Sequence, residues 1–121
     1  MSKTVLVVDD SPSMRQLVTF TLRQAGFLTI EAVDGLDALK RLAGARVNLI
    51  LTDLNMPNLD GIGLIREVRS KPSTRTLPVL MLTTESQESK RQEGRAAGAT
   101  GWLVKPFQPD KLIQVIGRVL P

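Results

Sequence analysis

The sequence predicts an α/β fold: a doubly wound (βα)5 unit with a five-stranded parallel sheet, helices on both faces and right-handed crossovers. Three observations carry this expectation. A short apolar run, a turn and a longer amphipathic stretch recur in that order five times. The apolar runs are continuous rather than alternating, as strands covered on both faces require. No linker, low-complexity segment or sequence repeat interrupts the series. At 121 residues the chain has one domain's length. Residues 1–121 are therefore expected to be a single domain, with no effector domain attached.

Residues 5–8, Val-Leu-Val-Val, form the first expected strand. Ser11 and Pro12 follow as helix N-cap and first helical residue. Met14, Leu17, Val18, Thr21 and Leu22 recur at helical spacing, and Gly26 is a stop signal. Residues 29–32 are the second strand, Asp34-Gly35 reads as a turn, and Leu36, Leu39 and Leu42 form a stripe ending near Gly44. Residues 49–52 are the third strand. Residues 53–61 are rich in Asn, Pro, Asp and Gly and read as a loop. Ile62, Ile65 and Val68 mark the next helix, which stops before Lys71-Pro72. Residues 78–82 are the fourth strand, and polar residues 83–88 lead into a helix ending at Gly98. Residues 102–104 are the fifth strand. After Pro106 and Pro109, Leu112, Ile113, Val115, Ile116, Val119 and Leu120 make the last helix.

Composition removes whole classes of chemistry. The chain has no cysteine, which excludes disulfide scaffolds, thiolate metal sites and Cys nucleophiles and fits a reducing compartment. It has no histidine, which excludes Ser-His-Asp triads, His-ligated zinc and a phosphohistidine of its own. The 16 Lys and Arg against 12 Asp and Glu give +4, an excess that invites a nucleic-acid reading. The basic residues, among them Arg15, Arg69, Arg91 and Arg95, are instead scattered, with no run and no interleaved aromatics. A solvated surface of helix exteriors is the better reading, and no nucleic-acid partner is expected. Only four successive apolar residues precede Asp9. No signal peptide or membrane span fits, and a cytoplasmic monomer is expected.

In open α/β sheets, sites lie beyond the carboxyl ends of the strands. The first strand ends in Asp9-Asp10, the third in Asp53, the fourth in Thr83-Thr84 and the fifth in Lys105-Pro106. The second ends apolar, at Val33. If the four polar ends are neighbours, three carboxylates, hydroxyls and one ammonium converge. At 4 Å, a pair of like charges costs about 1 kcal/mol in water and about 4 at an effective dielectric of ~20. Such a crevice must take up protons or hold a cation. Oxygen donors without His or Cys select a hard ion, magnesium above all. Each residue alone has another reading. Asp9-Asp10 serves equally as a helix cap, Asp53 as a turn former, Thr83 as a cap for the following helix and Lys105 as a surface lysine. Their joint occurrence at four strand ends favours the crevice.

These motifs carry a resemblance along the whole chain. Val5-Leu6-Val7-Val8-Asp9-Asp10-Ser11, Leu51-Thr52-Asp53-Leu54-Asn55-Met56-Pro57-Asn58-Leu59-Asp60-Gly61, Leu82-Thr83 and Val104-Lys105-Pro106-Phe107 resemble the acidic pair, phosphoacceptor loop, switch hydroxyl and Lys-Pro motif of response-regulator receiver domains. Within that family the likeness is greatest to the stand-alone chemotaxis regulators. The resemblance implies the flavodoxin-like strand order 2-1-3-4-5. It implies that Asp53 accepts a phosphoryl group from a phosphohistidine on a sensor histidine kinase, so that the chain is a phosphoacceptor rather than an enzyme with a separate substrate. Asp10, Asp53 and the backbone carbonyl of Asn55 would bind magnesium, with Asp9 acting through water. Lys105 and the Thr83 hydroxyl would each take a phosphoryl oxygen, helped by the backbone N–H groups of Thr84 and Asn55. Asn55 and Glu85 match the pair that tunes phosphoryl lifetime, of the fast self-hydrolysing type. Trp102 stands where the family's mobile Tyr or Phe ring follows the switch hydroxyl, and Lys105-Pro106 matches the family's cis peptide. The fourth helix, fifth strand and fifth helix would form the output face for a flagellar motor switch protein or another target. Lys90, Arg91, Arg95 and Lys111 would make that face basic, or simply solvate it. A phosphatase is a further implied partner.

Four other readings compete. A stand-alone receiver in a non-motility relay would share every motif. A flavin-binding protein of this fold class would want a phosphate-cradling first loop and flanking aromatics; the loop here is Asp9-Asp10-Ser11, and only one Trp and three Phe exist. An aspartyl phosphatase would want a carboxylate two residues after its nucleophile, where this chain has Asn55. An interaction module with a degenerate site would have lost some of the named positions, and all are intact.

Overall fold

Val5, Leu6, Val7 and Val8 are each 2% exposed or less, the burial a continuous apolar run demands when helices cover both faces of a sheet. The computed structural model describes residues 2–120. Its elements alternate as β1 (Thr4–Val8), α1 (Pro12–Gln24), β2 (Leu28–Ala32), α2 (Gly35–Gly44), β3 (Leu49–Thr52), α3 (Gly61–Ser70), β4 (Val79–Thr83), α4 (Glu88–Ala97), β5 (Gly101–Val104) and α5 (Pro109–Val119). The five strands are parallel in the order β2-β1-β3-β4-β5, so the expected fold class and strand order hold.

Alternation along the strands divides the core in two. Leu6, Val8, Ile50, Val79 and Met81 face Ala38 of α2 and Ile62, Leu64, Ile65 and Val68 of α3. Val5, Val7, Leu49, Leu51, Leu80 and Leu82 face Val18 and Leu22 of α1 and Leu112 and Ile116 of α5. Each such buried aliphatic side chain contributes about 1.5–3 kcal/mol relative to exposure. The register pairs Val8 with Thr52, and Thr83 with Val104. That alignment brings the carboxyl ends of β1, β3, β4 and β5 to one rim.

Local chemistry starts and stops the helices where the sheet needs them. Ser11 Oγ accepts from Met14 N–H at 3.3 Å, with Pro12 at the first turn. Asp60 Oδ1 accepts from Gly63 N–H at 2.8 Å to start α3. Gly98 ends α4 in the left-handed region at φ +111°.

The structure corrects several boundaries. Asp34 is not in a free turn: it is the N-cap of α2, accepting from Asp37 N–H at 2.8 Å, and Gly35 is already helical. The residue types that form turns also cap helices. The second strand starts one residue earlier than expected, at Leu28, and ends at Ala32 as expected; Val33 lies beyond it with its N–H donated to Asp37 Oδ2. Thr83 lies inside β4, one residue later than expected, and does not cap α4, whose N-cap is Gln87. Pro78 has no N–H to give and only accepts, from Ile50 N–H, just before β4. Arg15 and Arg69 are not simply solvated. Arg15 is bound to Glu31 and to the carbonyl of Asp9, and Arg69 donates to the carbonyls of Arg75, Leu77 and Gly98.

Candidate functional site

Each polar residue at the rim is held by the strand that ends there. Asp53 N–H donates to Val8 C=O at 2.9 Å, which ties the end of β3 to the end of β1. Lys105 N–H donates to Thr83 C=O at 2.8 Å, which ties the end of β5 to β4. Residues 96 and 52 positions apart then meet: Lys105 Nζ lies 2.8 Å from Asp9 Oδ2 and 3.2 Å from Asp53 Oδ2. The Lys105 and Asp9 side chains are 8% and 5% exposed. In so dry a setting an ammonium is retained only when carboxylates face it.

The remaining carboxylate oxygens are also aimed. Asp9 Oδ1 accepts from Ser11 N–H at 2.9 Å, and Asp53 Oδ1 accepts from Leu54 N–H at 2.7 Å. Asp9, Asp10 and Asp53 each offer one oxygen within 4.8 Å of the others, with Asp10 exposed at the mouth. Lys105 offsets one of three negative charges, so the cluster retains an excess near −2. An all-oxygen donor set with that excess fits a hard divalent cation.

Thr83 is fully buried, and its hydroxyl accepts from Glu85 N–H at 3.2 Å. Glu85 C=O in turn accepts from Trp102 Nε1–H at 3.1 Å. A hydrogen-bonded path thus runs from the rim through the β4–α4 loop to the indole of β5. Trp102 is half-buried, its ring lying over Gly94, where a β-carbon would come within 2.9 Å of Cζ3. Asn55 follows Asp53 by two residues in the β3–α3 loop, with its side chain exposed, as is that of Thr84. The Lys105–Pro106 peptide is cis.

The structure therefore brings together Asp9, Asp10, Asp53 and Lys105 directly, and joins Thr83, Glu85 and Trp102 in the path beside them. Sequence reasoning missed the residues that brace this crevice. Arg15 Nη1 donates to Asp9 C=O at 2.8 Å while its Nε bonds Glu31 at 2.9 Å, fixing the backbone of the acidic pair. Asn58 Nδ2 donates to Asp34 Oδ2 at 2.7 Å, and Gly35 N–H to Leu59 C=O at 3.0 Å, anchoring the β3–α3 loop to α2. The Asp37 N–H and the Asn58 amide hold the Asp34 carboxyl below the usual carboxylate range. These bonds span separate elements, so no local spacing announces them; the Asp34-Gly35 pair was the only hint.

Comparison with known proteins places the geometry in a family context. The family model described as response regulator receiver domain matches residues 5–117. The chemotaxis protein CheY of Pseudomonas aeruginosa is 40% identical over 116 residues, covering 95% of this chain and 94% of that protein. The solved structure of the Vibrio cholerae chemotaxis protein CheY4 superposes with a TM-score of 0.94 at 46% identity, covering 98% of this chain and 99% of that one. The receiver domain of a sensor histidine kinase from Pseudomonas aeruginosa, solved with a magnesium ion coordinated in its active-site cleft, superposes with a TM-score of 0.91 at 28% identity, covering 99% and 98%.

Proposed function

The chain belongs to the response regulator receiver domain family and is of the CheY type; on that premise we propose that it takes a phosphoryl group onto Asp53 from the phosphohistidine of a sensor histidine kinase and thereby switches a chemotaxis output. The observation that carries the reading is the Lys105 ammonium set between Asp9 and Asp53, 2.8 and 3.2 Å away.

Asp53 is the nucleophile. Its carboxylate oxygen attacks phosphorus, the P–N bond breaks with its electron pair returning to the donor's ring nitrogen, and that nitrogen takes up a proton. The acyl phosphate that forms is later cleaved by water, which releases inorganic phosphate and restores the carboxylate. Phosphoryl transfer asks the protein for in-line positioning and neutralised oxygens more than for covalent help. Lys105 supplies a point charge for one phosphoryl oxygen, and Thr83 Oγ1–H a donor for another. Asp10, Asp53 and the Asn55 carbonyl would hold magnesium, with Asp9 through water; a bound ion supplies positive charge against the phosphoryl oxygens. The magnesium of the related kinase receiver supports this assignment. Asn55 and Glu85, flanking the crevice, set a short phosphoryl lifetime.

Phosphorylation moves the Asp53 position from a charge of about −1 to about −2 and adds acceptor oxygens. Thr83 turns toward them and gives up its bond from Glu85 N–H, which disturbs the Glu85 carbonyl that tethers Trp102. The change reaches the α4–β5–α5 face, where a flagellar motor switch protein or another acidic target docks, with Lys90 and Lys111 among the basic side chains it meets. A phosphatase that shortens the signal completes the set of partners. No helix among the described residues is long and apolar enough to cross a membrane.

The test is phosphate incorporation from acetyl phosphate with magnesium. Wild-type protein is labelled; Asp53→Asn keeps its circular-dichroism spectrum and takes up no label. Labelling of that variant at the wild-type rate rejects Asp53 as acceptor.

A further inference from the structure

Outside the acidic crevice, one cavity has a chemistry that the phosphoacceptor reading does not use. It has a volume of about 260 Å3 and lies between α4 and β5, lined by Arg91, Arg95, Ala99, Thr100, Gly101 and Trp102. Arg91 and Arg95 stand one turn apart on α4, on the same side of the helix. Arg91 Nε is buried and has no hydrogen-bond partner, the one such side-chain atom among the described residues. Neither guanidinium has a carboxylate within 4.0 Å among those residues, while the neighbouring Lys90 is paired with Glu93 at 3.8 Å. A buried charged donor without an acceptor is costly, and Arg95, exposed one turn on, adds a second cation without a carboxylate partner beside it.

We propose that this cavity binds a small phosphomonoester carried on a planar ring, of which a nucleoside 5′-monophosphate is the type. The charge decides between anions. Two unpaired guanidiniums match a dianionic phosphate, whose three free oxygens accept from both forks, whereas a single carboxylate neutralises only one. Thr100 Oγ1 accepts from Val79 N–H at 3.0 Å, which leaves its own proton to donate into the cavity. The Trp102 indole N–H is already given to Glu85 C=O, so the ring contributes its apolar surface. Trp102 lines both this cavity and a second of about 410 Å3, so a planar base has apolar ring surface to lie against. A cleft of about 260 Å3 matches one phosphate head and its ring in size.

The binding claim does not rest on the proposed function, and its test is separate from phosphorylation. The full chain is titrated with adenosine 5′-monophosphate while the fluorescence of Trp102, the sole tryptophan, is followed, with calorimetry in parallel. Saturable binding is expected, weakened about tenfold or more in Arg91→Gln and in Arg95→Gln, with unchanged circular dichroism. Adenosine, lacking the phosphate, and inorganic phosphate, lacking the ring, should each bind about tenfold more weakly. The proposal is overturned if the nucleotide does not saturate the protein at millimolar concentration, or if R91Q/R95Q binds it as wild type does. It is equally overturned if a short poly-glutamate peptide displaces the nucleotide at lower concentration, because the two arginines then serve an acidic protein segment.

Discussion

Lys105 holds one positive charge between two carboxylates with 8% of its side chain exposed, so its removal acts on two properties with opposite sign. Lys105→Ala leaves the acidic cluster with a further unit of unbalanced negative charge. Close charges at an effective dielectric of ~20 interact by several kcal/mol. Magnesium affinity measured by calorimetry should therefore rise about tenfold, even after screening, while the rate of phosphate incorporation from acetyl phosphate falls. A parallel fall of both would mean that the ammonium organises the site instead of competing with a cation for it. Asp34 is the second residue with a calculable sign. Its folded carboxyl is held below the ordinary value, first by the Asp37 N–H and then by the Asn58 amide. Its contribution to stability is present above the unfolded value of about 3.9 and is lost as pH falls through the lowered folded value. Asp34→Asn should remove that component, so that urea midpoints of variant and wild type converge as the pH is lowered from about 5 through the unfolded value and on past the lowered folded one; a constant gap across that range would show that the carboxylate's charge is not what the site uses.

At the scale of elements, the β3–α3 loop is positioned by what lies behind it. A β-carbon at Gly61 would collide with the Asp53 carbonyl oxygen and come within 2.9 Å of Met81 Cε and 3.0 Å of the Leu54 Cα. Backbone cannot yield as a flexible side chain does. Gly61→Ala should cost about 1–3 kcal/mol in urea denaturation and should also slow Asp53 labelling, because the loop that carries the nucleophile has to shift. Stability lost with labelling intact would separate the loop's packing from its chemistry. The helices differ in the same terms. Val18, Thr19, Thr21 and Leu22 of α1 are buried, whereas Gly94 is the only buried residue of α4. Few buried contacts make a helix the cheapest to displace, and α4 borders the proposed output face.

Across the whole molecule, the buried Thr83 hydroxyl, the Glu85 backbone and the Trp102 indole join the acidic crevice to the α4–β5 side of the sheet. The path has a direct optical readout because Trp102 is the only tryptophan. Beryllofluoride with magnesium should change Trp102 fluorescence in the wild type. Thr83→Ala should keep acetyl phosphate labelling within about tenfold and lose most of that fluorescence change. A full change in the variant would mean that the signal bypasses the hydroxyl.

Fold class was legible because continuous apolar runs such as Val5 to Val8 and Leu49 to Thr52 have one stable use in a chain of this length, between two helical layers. The crevice was legible because strand ends fall at fixed places in such a fold, so Asp9, Asp53 and Lys105 were marked by position as well as by type. Boundaries at Asp34 and Thr83 were not, since the same residue types cap, turn and continue a strand with similar local energies. Nor were the Arg15 brace, the Asn58–Asp34 bond or the unpartnered Arg91. Each of those depends on which groups meet, or fail to meet, once separate elements pack together. That is settled by packing and by the pairing of buried charge, and neither leaves a trace in local spacing.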